Sequence, residues 1–194
     1  MKKKLLIILL PISIVALFVF VAVPYYQNQQ LIKKYAFTMD SANGNVSLSD
    51  FKGKIPIVYF GYMYCPDICP TTLSMISAAL YKLPKEDAKK FQLIFISVDP
   101  DRDTVKNLKE YALYFYPAAL GLTSSAKNLK SVSRQYGAYY SKIYEKGSKK
   151  NYSVAHTSNV YLIDKEGKLE KTIPHTEDEN IFLKNFKEAL RLNY

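Results

Sequence analysis

Apolar and polar positions alternate along this chain in three distinct ways. After Met1-Lys2-Lys3-Lys4, residues Leu5 to Val23 form 19 consecutive positions without a charge. At roughly 1.5 Å per residue that is a helix of about 28 Å, close to the ~30 Å core of a bilayer. Ile55 to Phe60 and Phe91 to Val98 are short continuous apolar runs, the pattern of strands buried on both faces of a parallel sheet. Between them Leu73, Ile76, Leu80 and Leu83 recur at helical spacing, so residues 71–83 are predicted to be the helix of a strand-helix-strand crossover.

Further elements follow by the same reasoning. Two short strands are predicted around Ala36 to Met39 and Val46 to Leu48, flanking Ala42-Asn43-Gly44-Asn45, whose Asn-Gly step suits a hairpin. A helix is expected from Thr104 to Tyr114 with Asp103 as its cap, and another from Ala126 to Tyr136 ending at Gly137. Strands are expected at Ala138 to Glu145, Asn159 to Asp164 and Lys168 to Ile173, with the polar stretch Lys146 to Asn151 after the first of them. Glu177 to Leu192 has the amphipathic pattern of a closing helix. The expectation is an α/β fold with a central mixed sheet flanked by helices and preceded by an N-terminal β-hairpin. Its organisation would be residues 1–4 cytoplasmic, 5–23 a transmembrane anchor, 24–34 a polar tether and 35–194 one domain.

The anchor bears on compartment. The apolar run is longer than a signal-peptide core and ends Phe20-Val21-Ala22-Val23-Pro24 without an Ala-x-Ala-like site. The leading lysines favour a cytoplasmic N-terminus, with the remaining chain outside the cytoplasmic membrane. A cleaved signal is the other reading, and it leaves the compartment unchanged. The formal net charge is +10, yet the basic residues are scattered in pairs such as Lys33-Lys34 and Lys149-Lys150. No long basic stripe interleaves with aromatics, so nucleic acid is not an expected partner.

The chemistry concentrates in one place. The chain's two cysteines, Cys65 and Cys69, follow the first apolar run in Cys65-Pro66-Asp67-Ile68-Cys69-Pro70. Each precedes a proline, which pushes it away from helical geometry and makes the motif a loop. Pro70 can occupy the first helical turn, which places Cys69 beside a helix N-terminus where thiolate is favoured. Two such thiols can bind a soft metal or exchange a disulfide, and in oxidising surroundings they can form a structural one. A third ligand would come from His156 or, with a weaker case, from His175. Two sulfurs and one imidazole suit copper as Cu(I) or Cu(II); an open zinc site has the same donors.

Four segments together resemble the Sco/SenC family. They are Phe60-Gly61-Tyr62 with Cys65-Pro66-Asp67-Ile68-Cys69-Pro70-Thr71-Thr72-Leu73, then Ser97-Val98-Asp99-Pro100-Asp101-Arg102-Asp103-Thr104, then Gly121-Leu122-Thr123, and finally His156-Thr157-Ser158 with Tyr161-Leu162-Ile163-Asp164. The resemblance implies a thioredoxin-like domain that binds one copper ion through Cys65, Cys69 and His156. It further implies assistance in assembling the copper A centre of cytochrome c oxidase, with the subunit bearing that centre as partner and other copper donors or thiol reductants as further partners. A Cys65–Cys69 disulfide would form in the oxidised, metal-free state, and Asp99 would stand behind the ligands. The chain departs from the family pattern at Met63-Tyr64 and at Ala155, where many members carry an aspartate. The rival function is a thiol-disulfide oxidoreductase that reduces cysteines of the oxidase subunit.

Overall fold

The computed structural model describes residues 2–144 and 151–194, with side chains from Phe18 onward. Two compact units are distinguished, Met1–Lys34 and Tyr35–Tyr194. The first is described by one helix, α1 (Lys2–Tyr35), which includes the expected tether at 24–34. Neither Pro11 nor Pro24 interrupts it. Among the described residues no helix is long and apolar enough to cross a membrane. The expected span 5–23 falls mainly on positions 5–17, whose side chains lie outside the described residues.

The second unit opens with the expected hairpin, β1 (Thr38–Ser41) and β2 (Gly44–Ser47), paired antiparallel. Gly44 takes a φ of 112° at the turn, a left-handed conformation that favours glycine. The core is a five-stranded mixed sheet. β3 (Ile55–Gly61) has every residue buried and pairs in parallel with β4 (Phe91–Ser97), equally buried. Between them run α2 (Ile68–Tyr81) and the short α3 (Lys85–Ala88). After α4 (Val105–Phe115) the chain adds β5 (Leu120–Leu122) parallel to β4. α5 (Ala126–Gln135) follows, and Gly137 closes it at a φ of 68°.

A hairpin, β6 (Tyr140–Tyr144) with β7 (Tyr152–His156), then forms a sheet of its own. β8 (Val160–Ile163) and β9 (Leu169–Ile173) return antiparallel to the main sheet, whose order is β5-β4-β3-β8-β9. α6 (Glu179–Asn193) ends the chain, packing against α2 and placing Phe186 5.1 Å from the Phe91 ring.

The expected central mixed sheet with flanking helices is therefore present, with four differences. α2 starts at Ile68, three residues before the expected start at Thr71. The residue capping α4 is Thr104, whose side chain accepts from the Asn107 N–H; Asp103 is used elsewhere. β5 has only three residues, too few to register as an apolar run, and glycine sits at its centre because any Cβ at Gly121 would fall 2.1 Å from the Leu108 carbonyl of α4. β7 was not expected at all: its burial alternates around Val154 alone, which leaves too weak a pattern to distinguish a strand from a loop. The expected strand end at Glu145, and positions 146–150 of the expected polar stretch, lie outside the described residues.

Candidate metal centre

The site lies where β3 ends and α2 begins. Gly61 terminates β3, and Tyr62 to Asp67 loop over to α2. Cys65 is half-buried in the loop, and Cys69, in the first turn of α2, is fully buried. Pro70 sits one residue further into that turn, where the absent N–H leaves no bond unmade. Gly61 is required by this close packing: an added Cβ would lie 2.7 Å from Cys69 Sγ and 2.8 Å from the Phe95 ring.

The first-turn amides of α2 have no helical acceptor of their own, and the Cys69 N–H points at Cys65 Sγ, 3.4 Å away. The two thiols consequently divide the charge. The hydrogen bond from the Cys69 thiol, with help from His156 and the Asp67 and Cys69 amides, holds Cys65 down to about 4 against the cost of burial. The same bond to Cys65, together with burial, pushes Cys69 far up. At neutral pH the pair is one thiolate and one thiol, with the negative charge on the more accessible sulfur.

His156 comes from the end of β7. Its Nε2 is 3.3 Å from Cys69 Sγ, and its Nδ1 is 3.1 Å from the Thr157 carbonyl. A carbonyl can only accept, so Nδ1 donates to it, and Nε2 is the ring nitrogen that faces the sulfurs. Tyr62 and Tyr59 meet the imidazole edge-on, with centroids 5.8 and 6.3 Å away. Burial, and then the neighbouring Cys69, raises the Tyr59 phenol, so that ring remains neutral. The donor atoms of Cys65, Cys69 and His156 all lie within 4.8 Å of one another. This is the one such cluster found among the described residues, and its soft pair with one imidazole could hold copper or zinc.

The cysteines are free thiols here, not a disulfide. His175 is not part of the cluster; its Nδ1 lies 2.8 Å from Thr72 Oγ1. Asp99 is wholly buried. It accepts from Arg102 Nε at 2.5 Å and from the Tyr152 hydroxyl at 2.7 Å. Asp103, expected as a helix cap, instead accepts from the Met63 N–H at 2.9 Å and from the Ser97 hydroxyl at 2.5 Å. It thereby fixes the loop that precedes Cys65. Burial raises its carboxyl, and those two bonds work in the opposite direction. Tyr62, Arg102, Tyr152 and Gly61 also shape the site. The signals for them in the sequence were the glycine at a strand end and the Asp-x-x-Arg step of a turn.

The SCO1/SenC family profile matches residues 24–191. A solved structure described as Arabidopsis thaliana ScoI with copper bound shares 36% identity, with a TM-score of 0.73, over 81% of this chain and 97% of that one. The Saccharomyces cerevisiae mitochondrial protein SCO2 is 37% identical over 156 residues, which are 80% of this chain and 52% of its own length. The chain thus spans about half of that relative. A structure of BsSco, described through a disulfide switch and as a member of the Sco family of cytochrome c oxidase assembly proteins, shares 25% identity at a TM-score of 0.61 and covers 81% of this chain and 92% of that one.

Proposed function

The chain belongs to the SCO1/SenC family, and from that premise we propose that it is a copper-binding metallochaperone that assists assembly of the copper A centre of cytochrome c oxidase. The observation that carries this reading is the convergence of two sulfurs and one imidazole nitrogen within 4.8 Å, supplied by Cys65, Cys69 and His156. Two sulfurs favour Cu(I), and the imidazole extends the site to Cu(II). The copper ion is cargo. Thiolate on Cys65 gives an entry point at the accessible sulfur, while buried Cys69 must give up its proton as metal arrives. Related ScoI with copper bound supports the choice of metal.

We place the domain on the outer side of the cytoplasmic membrane, tethered by residues 5–23, on the strength of the uncharged run behind three lysines. The whole-protein partner is the copper A-bearing oxidase subunit. A strain carrying only His156→Ala should fail to mature the oxidase, because its two-sulfur site handles Cu(I) alone. Normal copper A assembly in that strain would reject metal transfer through this site.

One observation supports a second reading, reduction of cysteines in the oxidase subunit: Cys65 is held down to about 4 and is partly accessible, the character of an attacking thiolate. That reaction needs both cysteines and not the imidazole. It therefore predicts oxidase assembly in the His156→Ala strain and its loss in either cysteine variant.

A further inference from the structure

β6 and β7 form a two-stranded sheet with no strand pairing to the central one, and such a ribbon is marginal unless something docks it. Only Val154 of β7 is fully buried. Yet this hairpin must deliver His156 to cysteines that lie more than eighty positions earlier. Besides the bonds from Tyr62 to the Val154 backbone and from His156 to Cys69, three docking contacts converge on the turn that follows β4. The Arg102 Nη1 donates to the Tyr152 carbonyl at 2.9 Å, the Tyr152 hydroxyl donates to Asp99 at 2.7 Å, and Lys142 pairs with Asp101. The Arg102 guanidinium also lies over three rings, 3.9 Å from the centroid of Tyr152, 5.1 Å from Tyr64 and 5.7 Å from Tyr62.

Those rings belong to both halves of the site. Tyr152 opens β7, four residues before His156, so with a period of two the two side chains share one face of the strand. Tyr62 and Tyr64 are in the cysteine loop, and Tyr62 itself packs edge-on to the imidazole. Asp99, which is wholly buried, anchors the guanidinium from below.

We propose that Arg102 is the positioning residue of the metal centre: by stacking on Tyr152 and the cysteine-loop tyrosines while bonded to Asp99, it latches the β6–β7 hairpin to the cysteine loop and sets where His156 stands. The proposal rests on the copper reading only for what the placed imidazole does. The latch itself is a property of the metal-free fold. A planar fork that bonds and stacks at once is required, so lysine is not an equivalent.

The test uses the full chain and the variants Arg102→Ala and Arg102→Lys. In the reduced, metal-free protein, amide hydrogen exchange across Tyr152–His156 should accelerate about tenfold in Arg102→Ala, the scale of one lost stacked and hydrogen-bonded cation, while β3 and β4 stay protected. Arg102→Lys, which keeps charge and stem and is the milder change to the fold, should show a smaller acceleration in the same strand. With Cu(II) added, both spectra should shift toward that of His156→Ala, whereas Cu(I) retention stays within about twofold because both sulfurs remain. Unchanged exchange in β7 for both variants overturns the latch, whether or not copper binds. Equal loosening of β3 and β7 also overturns it, since that is general destabilisation. If the parent chain takes up no copper, the metallochaperone reading fails, and the exchange result still decides the latch.

Discussion

The two halves of the candidate metal centre are built in opposite ways. The cysteine half grows out of the core: β3 is buried along its whole length, Gly61 brings it against Cys69, and Asp103 holds the loop through the Met63 amide. The histidine half rests on a two-stranded ribbon outside the main sheet, with one fully buried residue in β7, docked through the turn after β4, through Tyr62 to the Val154 backbone and through His156 itself. Rigid placement suits the soft sulfur pair that retains Cu(I). A ligand on a separately docked element suits a coordination shell that must gain and lose a donor as copper changes oxidation state or leaves.

If that contrast holds, damage to the cysteine half should be the more costly. Cys65→Ser or Cys69→Ser should lower Cu(I) affinity by more than about a hundredfold, beyond the usual cost of losing an outer-shell partner, as read by competition with a Cu(I) chelator. Gly61→Ala forces a methyl to within 2.7 Å of Cys69 Sγ. Overpacking of this kind costs about 1–3 kcal/mol, measurable by denaturant titration, and it should weaken Cu(I) binding as well. The matching change on the hairpin, Ser153→Ala at an exposed position, should stay within about 0.5 kcal/mol. Equal effects from the two would erase the contrast.

The thiols sharpen it further. Because Cys65 is depressed to about 4, it is thiolate throughout the neutral range. Its alkylation rate in the reduced, metal-free protein should be flat from pH 6 to 8 and should fall only as the pH drops toward 4. An ordinary cysteine would instead gain nearly tenfold per unit below its pKa of ~8.5. Removing the first cause with Cys69→Ala, which leaves no side-chain donor, should move the Cys65 midpoint upward, and a rate in the parent that climbs steadily between pH 6 and 8 would contradict this charge division. The smallest effect is expected far from the site. Thr104→Ala removes the cap of α4 and should cost about 1 kcal/mol with no change in copper binding.

The cysteine half was also the more legible. Continuous apolar runs identify β3 and β4, the leucine spacing identifies α2, and the two cysteine-proline steps place the thiols at the strand-to-helix loop, all through local rules. The histidine half depends on distant ones. β7 has a single buried position, so its periodicity is lost, and His156 reads as a loop residue until Tyr152, Asp99 and Arg102 are brought together. Asp103 illustrates the same limit: two residues before α4 it has the local signature of a cap, but the Met63 amide forty positions away and the Ser97 hydroxyl take its carboxylate, leaving the capping to Thr104.

The most direct test of the central claim is the electron paramagnetic resonance and charge-transfer spectrum of the reduced full-length chain loaded with Cu(II), beside that of His156→Ala. The account predicts one copper per chain with sulfur charge transfer and hyperfine coupling to a single imidazole nitrogen, and loss of that nitrogen signal or of bound Cu(II) in His156→Ala while Cu(I) is retained. A spectrum identical in the two proteins, or no copper taken up by the parent, would contradict it.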